Sequence, residues 1–300
     1  MKLSEKNNLE IDDFEVFDST FNDNDGISLL GSYKAFNEVW NRLPKRVLAE
    51  NEWIKNPQDK ASILWLWQEM LSTNQQALFR KASDETSFLG MVWLAKVSFL
   101  AKNSLLKSPL MKFNSLTVND LQQIARLSIS VDSIKQLPTI LAKKGIILIY
   151  EKALPSAKID AAVFKLETGN PVIGLSIRYS RLDYFWFTIM HELSHIVLHL
   201  NKLNVPITED VGDFDHKRID KNEIELAADN LASRTLIPRH LLRNISLRGI
   251  DEELVNSISA FAEVHPIIAA GMIRRYLNNY KLFPRLMYGV DVRELIVEKD

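Results

Sequence analysis

Residues 183–200 read DYFWFTIMHELSHIVLHL. His191 and His195 stand four apart in this stretch. On a helix that spacing places them about 40° apart around the axis and one turn apart along it. Both imidazoles then reach one tetrahedral metal ion. Glu192 projects to the side, where it takes the proton of a metal-activated water. The residues before and after the motif, Tyr184 to Met190 and Ile196 to Leu198, are almost all apolar. They predict a helix over 181–200 that is buried on most faces. Two histidines and a carboxylate inside such a helix are costly without partners, and a metal with its supporting hydrogen bonds removes that cost. The plainer alternative is a helix carrying two ordinary hydrogen-bonded histidines.

A catalytic zinc site needs a third protein ligand and an open position. The segment EIELAAD, residues 223–229, supplies candidates. Glu225 and Asp229 share one helix face, and Ala227 and Ala228 permit close approach to the first helix. Glu225 is the expected third ligand, with Glu223 as the alternative. Asp229 is the expected acceptor for the ring N–H of a liganding histidine. The competing reading is a solvated acidic face, although like charges four apart repel. His199 continues the histidine stripe, but on a straight helix it lies about 12 Å along the axis from His191. No glycine breaks the helix after His195, so packing, or support of a ligand, is its expected role. His216 in an acidic loop and His240 after Pro238 have no evident partner. His265 precedes Pro266 at the joint of two helices. It is a candidate donor to the oxyanion that forms when water attacks a carbonyl, as are Arg274 and Tyr276. Its plainer role is that of a helix-boundary histidine. Two imidazoles and one carboxylate suit zinc and do not exclude manganese.

The rest of the chain narrows the class. Its 300 residues are 46% apolar and 25% charged, with a formal net charge of −1. That composition excludes a disordered or collagenous chain and allows one or two domains. The near-neutral balance gives no global field for nucleic acid or acidic lipid, so direct nucleic-acid binding is not expected. Cysteine is absent, which excludes disulfides, thiolate metal sites and a cysteine nucleophile. No apolar run is long enough for a membrane span, and no secretory leader is visible, so the expected location is the cytoplasm.

Three regions are expected. Residues 1–29 form an acidic mobile tail, with eight acidic and two basic side chains in 1–25. Residues 30–110 form an all-helical module. Helical spacing runs through Leu30, Tyr33, Phe36 and Trp40, through Ile63 to Leu71, and through Phe88 to Leu106. Its tryptophans (40, 53, 65, 67 and 93) sit among Leu and Ile and read as core, since base-stacking platforms are interleaved with basic residues. Residues 111–300 mix both element types. Helices are predicted over 118–128, N-capped by Thr117, and over 133–144, stopped by Gly145. Strands are predicted over 146–150, 161–166 and 172–177, the last two as a hairpin through 167–171. Helices follow over 181–200, 221–236, 252–264 and 266–277.

HELSHIVLH at 191–199, followed by ELAADNLASRTLIP at 225–238, resembles the ImmA/IrrE family of metallopeptidases. The likeness covers roughly 115–280. Residues 30–110, with Leu43-Pro44-Lys45, Trp53-Ile54 and Phe79-Arg80-Lys81, are similar to the helical linker of longer, HigA-like members. Those members place an Xre-type helix-turn-helix ahead of it, and this chain is expected to begin where that module ends. Three positions depart from the family pattern: Asp229 replaces the usual Asn, Ser194 stands where Gly is frequent, and His265 stands where Ser is usual. The role of His265 is therefore not carried over.

The resemblance implies an α+β fold, a mostly helical zincin-like domain of gluzincin type with a small sheet, preceded by an all-helical module. It implies zinc (manganese not excluded) on His191, His195 and Glu225, with Glu192 as general base. It also implies a regulatory endopeptidase that cuts a helix-turn-helix repressor. The hairpin 161–177 is expected to border the cleft, its edge strand receiving the substrate chain in extended form. The alternative is a non-catalytic antitoxin or sensor with a structural metal, which has no use for an intact Glu192.

Overall fold

The computed structural model describes residues 29–71, 85–152, 154–202, 207–209, 223–243, 245 and 250–296. The acidic tail expected over 1–29, apart from Leu29, lies outside the described residues, as do Phe79-Arg80-Lys81 and His216. The chain divides into two compact units, 1–42 and 43–300. The described element of the first is helix α1, Leu29–Arg42, in which the Tyr33 and Phe36 rings lie 6.4 Å apart.

The second unit begins with α2 (Lys45–Glu50), α3 (Leu64–Leu71) and α4 (Glu85–Lys107). α3 packs on α4. There the buried Glu69 carboxylate accepts from the Ser98 hydroxyl at 2.7 Å and from the Lys102 ammonium at 2.9 and 3.0 Å. Trp53 meets Trp65 edge-on at 6.0 Å, and Trp65 stacks on Phe99 at 5.5 Å. Trp53, Trp65 and Trp93 are buried, in keeping with their reading as core.

Helix α5 (Val118–Arg126) starts at a capping box. The Thr117 hydroxyl accepts from the Asp120 amide at 3.2 Å, and the Asp120 carboxylate accepts from the Thr117 amide at 2.8 Å. Helix α6 (Ser133–Ala142) ends before Gly145, which has φ +76°. A Cβ at Gly145 would lie 2.7 Å from the Met111 carbonyl oxygen, so both conformation and space demand glycine there.

The sheet comprises β1 (Ile147–Tyr150), β2 (Ala161–Lys165), β3 (Pro171–Leu175) and β4 (Ile207–Glu209), in the order β1-β3-β2-β4. β2 and β3 form the expected antiparallel hairpin, while β1 runs parallel to β3 with Ile147 opposite Val172. β4 pairs antiparallel with β2, Ala161 opposite Glu209. Both hairpin strands are thus interior, and the expectation of a free edge strand within 161–177 is incorrect. The edges are β1 and β4. A three-residue strand far along the chain from its partner carries no pattern of its own that could have signalled this pairing.

All five residues of β3 are buried, which requires cover on both faces. Ile173 and Leu175 belong to the core cluster shared with helix α7 (Leu182–His199). Gly174 faces the other way, where a Cβ would lie 2.8 Å from Val97 and 3.0 Å from Trp93 of α4. The Trp93 indole also donates to the Glu151 carbonyl at 2.9 Å. The helices of 45–107 and the sheet therefore share the unit 43–300.

The remaining helices are α8 (Glu223–Leu236), α9 (Arg239–Arg243), α10 (Glu252–Ala262), α11 (Pro266–Tyr276), α12 (Pro284–Met287) and α13 (Val292–Ile296). α8 and α11 pack on α7, and α10 meets α11 at a 109° bend. The fold is α+β, mostly helical with a small mixed sheet, as expected. Among the described residues no single helix is long and apolar enough to cross a membrane.

Candidate metal centre

Helix α7 is buried from Leu182 to Ile196 except at Asp183, so its motif sits in the core. Ser194 fits this setting because its hydroxyl donates to the Met190 carbonyl at 2.7 Å, which satisfies the buried oxygen within the helix. α8 lies alongside α7, and Ala228 and Ala232 are fully buried there. Small side chains bring the two backbones close enough for one carboxylate to reach both histidines.

The three donors converge. His191 Nε2 and His195 Nε2 lie 2.9 Å apart, and Glu225 Oε2 lies 3.3 Å from the first and 3.5 Å from the second. For a tetrahedral ion with ligands at about 2.0–2.1 Å, neighbouring ligand atoms stand about 3.3–3.4 Å apart. The observed triangle brackets that edge length. His191, His195 and Glu225 are the group among the described residues able to hold a metal. Glu223 lies exposed at the start of α8 and is not part of it.

Hydrogen bonds behind the rings set which nitrogen carries the lone pair. Asp229 Oδ1 stands 3.0 Å from His191 Nδ1, so the carboxylate takes the N–H there and leaves the lone pair on Nε2. His195 Nδ1 stands 3.2 Å from His199 Nδ1. Donation from His195 to His199 leaves its Nε2 free in the same way. Burial pushes the His195 pKa down, against the pull of Glu225 that favours the charged form. Two imidazole lone pairs and a carboxylate oxygen facing one small volume repel one another unless a cation lies between them. The donor set therefore fits a divalent ion. Glu192, 1% exposed, follows His191 directly on α7.

Arg275 on α11 was not legible in the sequence. Its guanidinium donates to Asp229 Oδ2 at 3.0 Å and lies 4.0 Å from the centroid of the Phe187 ring. The Phe187 ring in turn is 6.2 Å from that of His191. Cations in the last turn of a helix are ordinary, which hides this partnership until α11 is docked on α7.

The candidate oxyanion donors lie elsewhere in the hydrogen-bond pattern. His265 caps α11, its Nδ1 accepting from the Ile267 amide at 3.2 Å, and burial lowers its pKa. Arg274 donates to the Tyr280 carbonyl. Tyr276 is half exposed and lines a cleft of about 460 Å³ with Asp229, Arg275 and residues of α8. His240 lies exposed on α9.

No curated protein matches the chain significantly. Residues 142–273 match the family model of the IrrE N-terminal-like domain of peptidase family M78. The match runs from the end of α6 into α11 and takes in the sheet, the three donors, Glu192 and Asp229. Over residues 142–273 the chain therefore resembles the IrrE N-terminal-like peptidase domain, a likeness that supports its reading as an ImmA/IrrE-type metallopeptidase.

Proposed function

We propose that this protein is a zinc-dependent endopeptidase of the HExxH type, a cytoplasmic regulator that cuts one specific protein partner, in the first place an Xre-type helix-turn-helix repressor. The observation that carries the reading is the convergence of His191 Nε2, His195 Nε2 and Glu225 Oε2 within 3.5 Å of one another, next to an intact Glu192. His191, His195 and Glu225 hold the ion, and two imidazoles favour zinc over manganese. When bound, such an ion polarises a carbonyl and acidifies a water. Glu192 receives the proton of the attacking water and passes it to the leaving amine nitrogen. Asp229 and His199 hold the two rings in register. Of the candidate oxyanion donors, His265 is engaged with the Ile267 amide, whereas the Tyr276 side chain reaches the cleft beside Asp229.

The test pairs the wild-type chain with Glu192→Gln, each incubated with the products of the reading frames that flank its gene, a helix-turn-helix regulator first. Both proteins are expected to hold one equivalent of zinc. Only the wild type is expected to clip the regulator, with the variant at least about 100-fold slower, the usual lower bound for a lost general base. An intact regulator in the presence of the wild type, together with full biological effect from Glu192→Gln, would leave a non-catalytic antitoxin as the correct reading.

A further inference from the structure

A second cleft, of about 300 Å³, lies between the start of α7 and α11. Three guanidinium groups line it: Arg181, Arg274 and Arg275. Two of them have carboxylate partners. Arg181 grips Asp183 through Nε at 3.0 Å and Nη2 at 2.6 Å, and Arg275 holds Asp229. Asp183 is fixed in that pose because its carboxyl group fills the space a Cβ at Gly271 would take, with Cγ 2.8 Å from that position.

Arg274 has no such partner. It is 8% exposed, and among the described residues no carboxylate lies within ion-pair distance of it. One Nη donates to the Tyr280 carbonyl, while the buried Nε makes no hydrogen bond. A neutral carbonyl does not balance a buried cation, and a buried charge without a counter-charge is costly. Burial, and next the neighbouring Arg181, hold the Arg274 pKa below its ordinary value, with Asp183 acting the other way. The charge count of the cleft is one anion short.

We propose that this cleft binds a small oxyanion, a phosphate or a carboxylate, against the free edge of the Arg274 guanidinium. The planar fork presents paired N–H donors that match two oxygens of either group. The volume admits a small ligand and little more. The site is separate from the three metal donors and does not depend on the peptidase reading.

The experiment uses the full chain labelled with ¹⁵N-arginine, with and without zinc. Sodium phosphate and sodium acetate are titrated in separate arms, with ionic strength held constant by chloride. The Arg274 Nε–H resonance, assigned by its loss in Arg274→Lys, is expected to shift saturably in at least one arm, and the melting temperature to rise in the same arm. The tighter arm identifies the group as phosphate or carboxylate. Arg274→Gln is expected to abolish the melting shift, and Arg274→Lys, which keeps charge without the fork, to weaken binding at least tenfold. An Arg274 resonance that responds to neither anion beyond chloride would overturn the proposal. So would an equal melting shift in a folded Arg274→Gln protein. The resonance arm needs no folded glutamine variant, so the test stands if that variant is unstable.

Discussion

Asp229 faces two ways, toward the His191 ring at 3.0 Å and toward Arg275 at 3.0 Å. Its removal leaves the three metal donors in place and loosens the ring that carries one of them. Asp229→Ala is expected to weaken zinc binding by about 10–100-fold, read by competition with a chelator. His265 supports a different expectation. As an N-cap it is replaceable by serine, a better cap, so His265→Ser should change stability by less than about 0.5 kcal/mol in urea unfolding. If cleavage of the partner survives as well, His265 is a cap and not an oxyanion donor. His191, Glu192 and His195 were legible because helical spacing alone puts them together. Glu225 was separated from Glu223 only by the register of α8 against α7. Arg275 was not legible, because its role depends on how α11 docks.

Helix α4 lies against β3 at Gly174, where a side chain would enter the space of Val97 and Trp93. Gly174→Val is expected to destabilise the protein by about 1–3 kcal/mol, the usual range for overpacking, or more if the backbone cannot shift. Helix α5 offers a pH test. The Lys144 ammonium donates to Asp120 at 2.6 Å and, with the Thr117 hydrogen bonds next, lowers the Asp120 pKa from 3.8 to about 2. The folded value lies below the unfolded one, so the unfolded state binds the proton more readily. The stabilisation is present above pH 3.8 and is lost as the pH falls toward about 2. Urea unfolding between pH 2 and 5 should show this slope in the wild type and a shallower one in Asp120→Asn. The capping residue Thr117 and the stop at Gly145 were read correctly because both act within a few residues. Strand β4 was missed because its pairing with β2 joins segments more than forty residues apart.

At the scale of the molecule, the three candidate metal donors come from two helices separated by a long connection, so a bound ion would clamp α8 onto α7. Zinc at 100 times its dissociation constant is expected to add about 2.7 kcal/mol to stability, and chelation to lower the melting temperature accordingly. The sheet supplies a second global test. Deleting residues 1–110 strips α4 from β3 and bares the face that carries Gly174 and Val172. The remaining chain is expected to bind a hydrophobic dye or aggregate, whereas a soluble, cooperatively melting fragment would show that the peptidase elements fold without α4.

The amino-acid sequence by itself determined the helices, the hairpin and the pairing of His191 with His195 beside Glu192. Apolar periodicity, capping residues and i,i+4 spacing are local, and the chain cannot escape their geometry. Tertiary structure decided which strands lie at the sheet edges, that Arg275 braces Asp229, and that Arg274 is buried with no counter-anion among the described residues. Each of these depends on the distance between groups far apart along the chain, and only the packing of one element on another fixes such a distance.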